Sequence, residues 1–179
     1  MKNIIATFAL IISFSAIKAQ KLLVPTDAGS KIHFVIKNFG ISTGGDFTGL
    51  KGNIKFDATK PTTSSFDVSV DAKTVDTDNG ARDSHLRQEE YFNADKYPVI
   101  RIYSSKIEGT NKASTYMFTG NLFIKGVTRP LHFLFTAIAQ NGGYLFAGDF
   151  EIDRRDFGVG GNSAVMGDNV KISLSAFAK

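Results

Sequence analysis

Apolar and polar residues alternate along most of this chain, and this alternation constrains its fold more than any other feature. In eight segments, side chains two positions apart are apolar, and those between them are mostly polar. A period of two is typical of a β-strand with one face in a core and the other in water. The sequence therefore predicts an all-β fold with eight strands, centred on 32–36, 54–56, 66–70, 100–102, 116–124, 131–135, 144–152 and 170–174.

Clusters of glycine, proline, asparagine and threonine separate the predicted strands, as expected for tight turns. Parallel strands would need helices between them, but only residues 82–91 have a helical pattern, with Asp78 or Asn79 as the cap. Antiparallel strands with apolar inner faces close into a barrel, which removes exposed edges; a two-sheet sandwich is the alternative. We expect Phe47 to extend the strand at 54–56 backwards, and we predict turns at 43–45, 59–61, 108–111, 128–130 and 141–143.

Residues 1–19 have the pattern of a secretory signal peptide. Lys2 gives a positive start, residues 4–17 are mostly apolar, and Ala19 precedes a plausible cleavage point. The apolar run is too short to span a membrane. We therefore predict export to the periplasm or the extracellular space, with residues 20–179 forming one domain.

The composition and the histidine spacing argue against several functions. The chain has no cysteine, so it has no disulfide, no thiolate metal site and no catalytic thiol. Its three histidines, His33, His85 and His132, lie in separate segments without the spacing of metal ligands. The formal net charge is only +4, and the predicted signal peptide contributes part of it, which argues against a nucleic-acid partner. We expect a protein that is not an enzyme and that uses neither a metal nor a cofactor.

Phenylalanine dominates the predicted interior. The chain has 16 Phe, and more than half of them fall in the inward register of a predicted strand. An eight-stranded barrel is at the size where side chains fill the interior or leave room for a small ligand, so a solid core and an apolar cavity both remain open. Gly120 and Gly148 lie inward in mid-strand, where we expect a bulge, a bend or free space. Each buried methylene contributes about 0.8 kcal/mol, so a cavity would favour a long apolar tail over a short one.

Two polar motifs stand outside the alternation. In the first, Arg82 and His85 share a helical face and would hold an anionic head group. In the alternative interpretation, these two side chains and Asp83 form a hydrogen-bonded plug that docks the helix on the barrel. The second motif, at 154–161, is interpreted as a hairpin with a glycine-rich connection.

Further motifs resemble those of the YceI-like family, in the family's order and over nearly the whole of residues 20–179. They are GDFTG at 45–49, IKFD at 54–57, RDSHL at 82–86, YP at 97–98, GNLFIKGVTRP at 120–130 and DFG at 156–158. The resemblance implies an elongated, lipocalin-like, eight-stranded antiparallel barrel with one short helical segment. It also implies an internal hydrophobic pocket for isoprenoid lipids such as quinones or polyprenyl phosphates.

The resemblance implies a function and a set of ligand contacts as well. We expect non-catalytic binding of a polyprenyl or quinone lipid, for transport, storage or stress response. The expected ligand-binding residues are Arg82 and His85 together with inward side chains of the barrel, namely Phe34, Ile36, Phe47, Phe56, Phe66, Val68, Phe118, Leu122, Phe133, Phe135, Tyr144, Phe146 and Phe150.

A different hypothesis places the function on the outer surface. In it the barrel is solid, and the exported chain binds a protein partner, or a second copy of itself as a homodimer. Exposed apolar patches mark such interfaces, and the outward residues that would form one are Phe123, Leu134, Ile138 and Leu145.

Overall fold

A computed structural model describes residues 22–179, so the predicted signal peptide at 1–19 lies outside the described residues. This part of the chain contains one α-helix, α1 (Gly80–Leu86), and short 3-10 turns at Pro61–Thr63, Ala72–Thr74 and Arg154–Phe157. All other regular structure is β, which confirms the all-β prediction. The strands are β1 (Leu22–Leu23), β2 (Pro25–Asn38), β3 (Ile41–Phe47), β4 (Lys51–Lys55), β5 (Ser65–Asp71), β6 (Val99–Gly109), β7 (Thr115–Ile124), β8 (Val127–Gln140), β9 (Gly143–Asp153) and β10 (Met166–Ala178).

The strands form a single antiparallel sheet in the order β1-β4-β5-β6-β7-β8-β9-β10-β2-β3. β1 and β2 follow each other in the chain but pair at opposite sides of this sheet. Leu23 of β1 pairs with Ile54 of β4, whereas Thr26 of β2 pairs with Phe177 of β10. The sheet therefore curls round, and the consecutive strands β1 and β2 connect its two sides. The inner face of the curled sheet surrounds a lumen.

The predicted strand count of eight is wrong, because β1 and β3 lack the clear alternation that identifies a strand. The predicted turn at 43–45 lies inside β3, and Phe47 ends β3 instead of extending β4. Glycine suits position 45 of this strand because the Phe34 ring occupies the space that a side chain would need. A β-carbon on Gly45 would lie 2.6 Å from Cζ of Phe34.

The predicted turn at 128–130 also lies inside a strand, β8. The chain turns earlier, at Lys125–Gly126, where φ is 49° and 80°, as in the two-residue turns typical of hairpins. Pro130 is tolerated in β8 because the pairing with β9 begins only at Phe135. One side of the strand is therefore unpaired at the proline, and the missing N–H is not needed there.

The helical segment is shorter than the predicted 82–91. The cap prediction is confirmed, since Oδ1 of Asn79 accepts a hydrogen bond from the Arg82 N–H at 3.0 Å. The helix ends at Leu86 because the Phe92 N–H donates to the Leu86 carbonyl at 3.0 Å, which closes a wide turn. This turn brings Phe92 over one end of the lumen.

The inward residues of the barrel follow the predicted register. Buried and less buried positions alternate along β7 and along the middle of β8. Gly120 lies next to a bulge in β6 between Ser104 and Lys106, and Gly148 leaves space for the Phe133 ring, whose Cε2 would lie 2.9 Å from an added β-carbon. A bulge thus accompanies Gly120 in the neighbouring strand, whereas the Phe133 ring occupies the space at Gly148 and no free space remains there.

Candidate ligand-binding cavity

The lumen has two halves, and in one of them aromatic rings fill the space. The Phe56 ring lies 5.1 Å from the Tyr116 ring and 5.2 Å from the Phe146 ring, edge to face in both cases. Such pairs contribute about 0.5–1.5 kcal/mol beyond the area they bury. We call this group the aromatic plug, and its members are Phe56, Phe66, Tyr116, Phe118, Phe133, Phe135, Tyr144 and Phe146.

The other half contains a cavity of about 170 Å³. The plug lies next to the cavity, since the Phe150 ring that lines the cavity lies 4.9 Å from the Phe133 ring of the plug. The cavity surface is almost wholly apolar. The strand residues that line it include Ile32, Phe34, Ile36, Val68, Val70, Ile100, Ile102, Leu122, Ile124, Phe150, Ile152, Val170, Ile172 and Leu174.

Residues 80–97 cover this half of the lumen, and we call them the helical cap. Leu86, Tyr91 and Phe92 of the cap line the cavity. The Arg87 guanidinium fastens the cap to the barrel, because its Nε donates to the Lys73 carbonyl at 2.7 Å. Side chains rather than strand pairing thus hold this wall of the cavity.

Lys125 joins the helical cap to the loop that follows β9. Its ammonium group donates to the Glu90 carbonyl at 3.0 Å and to the Gly158 carbonyl at 2.6 Å. The Gly160 N–H donates to the same Glu90 carbonyl at 2.9 Å. Burial lowers the pKa of Lys125 below its ordinary value, against the opposing effect of the nearby glutamates.

Arg154 organises the loop between β9 and β10. Its side chain is 3% exposed, and its guanidinium donates to the carbonyls of Val159 (2.8 Å), Gly161 (2.7 Å) and Gly167 (2.9 Å). It also pairs with Asp168 at 3.0 Å. The glycine-rich stretch predicted as a hairpin connection is therefore folded around one buried cation, and it places Phe157, Val159 and Met166 against the cavity.

Arg82 and His85 do not line the cavity. Nε and Nη2 of Arg82 donate to Oγ1 and the carbonyl of Thr77, each at 2.7 Å. Buried Asp83 accepts from the Thr77 N–H at 2.9 Å, so Arg82 and Asp83 tie the helix to the segment just before it. Docking of the helix on the barrel by these side chains and His85 stays a hypothesis. The His85 ring lies 4.8 Å from the Tyr91 ring and is largely exposed. Contact of Arg82 or His85 with a head group stays a prediction.

The structure divides the expected ligand-binding residues between the two halves of the lumen. Contact with a ligand remains a prediction for all of them. Six line the cavity, namely Phe34, Ile36, Phe47, Val68, Leu122 and Phe150. Seven belong to the aromatic plug, namely Phe56, Phe66, Phe118, Phe133, Phe135, Tyr144 and Phe146.

Sequence reasoning missed the cavity residues that lie outside the strands. Leu50, Leu86, Tyr91, Phe92 and Phe157 come from turns and from the helical cap. A period of two does not extend through such segments, so it carries no information on which of their side chains point inward. The one signal in the sequence is the presence of large apolar residues in otherwise polar connections.

The Gly-x-Ser-x-Gly sequence of this chain does not have the setting of a hydrolase nucleophile. Ser42 stands in a Gly-x-Ser-x-Gly sequence at 40–44, but this sequence lies in β3 and not in the strand-to-helix turn of a hydrolase. The Ser42 hydroxyl accepts from the Lys37 ammonium at 2.9 Å. His33 pairs with Asp46 at 2.7 Å across β2 and β3. Residues 22–179 also contain no group of three or more His, Cys, Asp or Glu that could hold a metal ion.

A family model places this fold and cavity among known proteins. The model, described as the YceI-like domain, matches residues 24–178. The chain belongs to the YceI-like family. A YceI-like relative from Shewanella denitrificans, called a UPF0312 protein, is 28% identical over 168 residues, which cover 89% of this chain and 87% of the relative. Another UPF0312 protein, from Azotobacter vinelandii, is 32% identical over 135 residues, covering 72% of this chain and 70% of the relative.

Solved structures agree with the YceI-like assignment. BcnA of Burkholderia cenocepacia superposes with a TM-score of 0.80 at 26% identity, covering 85% of this chain and 98% of BcnA. A domain from Saccharophagus degradans, described as a polyisoprenoid binding domain, has a TM-score of 0.69 at 15% identity, covering 88% of this chain and 97% of that domain. The second likeness shows the shared fold. Within residues 22–179, no helix is long and apolar enough to cross a membrane.

Proposed function

We propose that this YceI-like chain binds the apolar tail of an isoprenoid-type lipid, a polyprenyl or a quinone, in the cavity and catalyses no reaction on it. The almost wholly apolar lining of the cavity supports this most directly. A polar metabolite would leave its hydrogen-bonding groups unpaired against such a surface, which is costly. The description of the Saccharophagus degradans domain as polyisoprenoid binding supports the choice of ligand class.

The cavity volume limits how much of a tail is held. A dry cavity of roughly 150 Å³ takes one benzene-sized molecule, so the 170 Å³ here suits one five-carbon isoprene unit. Burying five carbons contributes about 4 kcal/mol, which only matches the low end of the roughly 4–15 kcal/mol lost on association. A bound lipid therefore needs further contacts. The helical cap is the wall that moves to provide them, because side-chain hydrogen bonds hold it and strand pairing does not.

Binding of this kind would serve transport, storage or a stress response. If residues 1–19 direct export, the lipid is bound in the periplasm or outside the cell, where free isoprenoid tails need a soluble carrier.

Fluorescence titration with a dansyl-labelled farnesyl probe tests the proposal. We expect saturable uptake with one probe per chain, displacement by unlabelled farnesol, and an isoprenoid lipid in native mass spectra of freshly purified protein. A chain with no saturable uptake and no co-purified lipid would contradict the proposal.

A matched pair of substitutions locates the site. Ile172→Phe adds volume inside the cavity and should weaken probe binding by about tenfold, since overpacking costs about 1–3 kcal/mol. Ile138→Phe makes the same change on the outer face of β8, where Ile138 is 48% exposed, and should leave binding unchanged. Equal effects of the two substitutions would argue against the cavity as the site.

A second candidate function uses the outer face of the barrel. Ile138 of β8 pairs with Leu145 of β9, which pairs with Phe177 of β10, so an apolar row crosses three strands. Leu134 and Ile138 are about half exposed. Such a patch suits a protein partner or a homodimer. A mass that rises with concentration in sedimentation velocity, without any lipid uptake, would favour this function over lipid binding.

A further inference from the structure

We propose that two loops beside the cavity insert into the surface of a lipid bilayer. One loop is the β2–β3 turn, with Phe39 and Ile41, and the other precedes β10, with Val165; we call these three residues the apolar tips. Phe39 and Ile41 are 73% and 70% exposed, more than any other large apolar side chain among the described residues, and Val165 is 42% exposed. The Phe39 N–H donates to the Val165 carbonyl at 2.8 Å, so the loops form one surface.

The backbone of Phe39 is unfavourable for folding. Its φ is 50°, followed by 75° at Gly40, and this left-handed region disfavours a bulky side chain. The β8–β9 turn at Asn141–Gly142 has nearly the same φ values, 49° and 75°, with an asparagine at the first position. Phe39 thus occupies a position that suits asparagine, and it remains mostly exposed. Such a residue indicates a role beyond the fold.

The segments that carry the apolar tips have almost no charge. Residues 34–45 contain one charged side chain, Lys37, and residues 157–167 contain none. No carboxylate of these segments would lose its hydration if the tips entered an apolar phase. Lys37, at the base of the first tip, is placed to meet a lipid phosphate, as cations flanking interfacial segments do.

The exposed area favours a bilayer over a protein partner. The three side chains expose roughly 400 Å² together, whereas a stable protein interface buries about 800 Å² on each partner. Fluid acyl chains need neither a large area nor a matched shape, so a bilayer is the occupant that these tips fit.

The apolar tips are continuous with the cavity. Ile36 and Met166 line the cavity, and Met166 pairs with Asn38, the last residue before the β2–β3 turn. Insertion would therefore hold this end of the lumen at the bilayer surface, where a lipid tail can pass directly into it. This loading step rests on the proposed function, whereas insertion does not.

Tryptophan emission tests insertion, because the chain contains no tryptophan of its own. Phe39→Trp places a single emitter at the tip, and Leu134→Trp places one at a half-exposed position on the outer face of β8. Both are made in the full chain, and both are mixed with vesicles of phosphatidylethanolamine and phosphatidylglycerol. We expect a blue shift and quenching by brominated acyl chains for Phe39→Trp, and no change for Leu134→Trp.

A second pair of variants measures the contribution of the tips without a probe. The double substitution Phe39→Asn and Ile41→Ser should reduce the fraction of protein that co-sediments with these vesicles by about tenfold, from the apolar area removed. Leu134→Ser should leave that fraction unchanged. Equal effects of the two variants would overturn the proposal.

Two other outcomes would also overturn insertion. One is unchanged Phe39→Trp emission in the presence of vesicles. The other is a blue shift that depends on protein concentration and occurs without vesicles, which would identify a second copy of the chain as the occupant. If the farnesyl probe does not bind but Phe39→Trp inserts, the proposed function fails and the insertion stands, so the two failures are distinguishable.

Discussion

The two ends of the lumen keep their shape by different interactions. At one end the rings of the aromatic plug pack against each other, and Phe118 and Ile107 are almost completely buried. At the other end Arg154, Lys125 and Arg87 donate to loop carbonyls around the rim. Packed rings fill the half of the lumen that they stabilise, whereas hydrogen bonds around the rim of the other half leave its centre empty. The half that is held at its rim is therefore the half that can take a guest.

Removing the buried guanidinium should cause the largest loss of stability. Arg154→Met leaves four carbonyls without their donor, at Val159, Gly161, Met166 and Gly167. Breaking a buried charge network of this kind costs about 3–5 kcal/mol, so we expect the free energy of unfolding in urea to fall by about 4 kcal/mol. Binding of the farnesyl probe should also be lost, because this loop forms one wall of the cavity.

The neighbouring arginine provides the control for that experiment. Arg155 is half exposed and pairs with Asp153 at 3.2 Å, and exposed ion pairs contribute little. Arg155→Met should therefore change stability far less than Arg154→Met. Similar losses for both variants would mean that the rim depends on overall charge and not on the buried donor.

Two isoleucines compare the packed half with the cavity half directly. Ile107 is fully buried opposite Phe118 of the plug, and Ile107→Ala should lower the free energy of unfolding by about 3 kcal/mol. Ile172 lines the cavity, where it already faces empty space, so Ile172→Ala should cost about half as much. Urea unfolding measures both, and equal losses would show that the cavity wall is packed as tightly as the plug.

The sequence predicts the plug better than the cavity for a physical reason. In β7 and β8, each inward residue follows from a period of two, so the alternation alone is enough to place residues such as Phe118 and Phe133 inward. The period does not say whether facing rings meet across the lumen, because that depends on which strands lie opposite each other. Sequence alone therefore leaves a solid core and a cavity both open, and the molecule contains one of each.

The rim is the least predictable region. Arg154 lies in a glycine-rich stretch whose fold depends on where its guanidinium finds carbonyls, and local propensity carries no such information. Gly44 and Gly45 have the composition of a turn because glycine usually marks one, but the Phe34 ring needs the space next to Gly45. In both places a contact distant in sequence decides the local structure.

Acid should weaken probe binding at the cavity end of the lumen, because Asp153 becomes protonated there. A hydrogen bond from the Arg155 side chain, followed by that from its N–H, lowers the pKa of Asp153 below its ordinary value. A carboxyl with a lowered folded pKa contributes stability above its unfolded pKa and loses it as the pH falls through the folded one. Probe binding should therefore decline below about pH 4, and Asp153→Asn should lower affinity by about threefold at neutral pH.

An acidic residue near the other end of the lumen is the control. Hydrogen bonds from Thr59, first from its hydroxyl, also lower the pKa of Asp57, but Asp57 follows β4 and lies outside the cavity. Asp57→Asn should leave probe affinity at its original value. A loss of affinity in this variant would indicate a global change and not an effect on the rim.

The smallest effect that we expect on stability is an increase, caused by a substitution at Phe39. The Phe39–Gly40 turn at the cavity end and the Asn141–Gly142 turn at the plug end have nearly the same backbone, so Phe39→Asn gives one turn the residue of the other. Because asparagine tolerates the left-handed region, the free energy of unfolding should rise by about 0.5 kcal/mol, while association with vesicles falls. Asn141→Phe should lower stability by a similar amount. If Phe39→Asn instead destabilises the chain in urea, the ring contributes to folding, and its exposure then needs no bilayer to explain it.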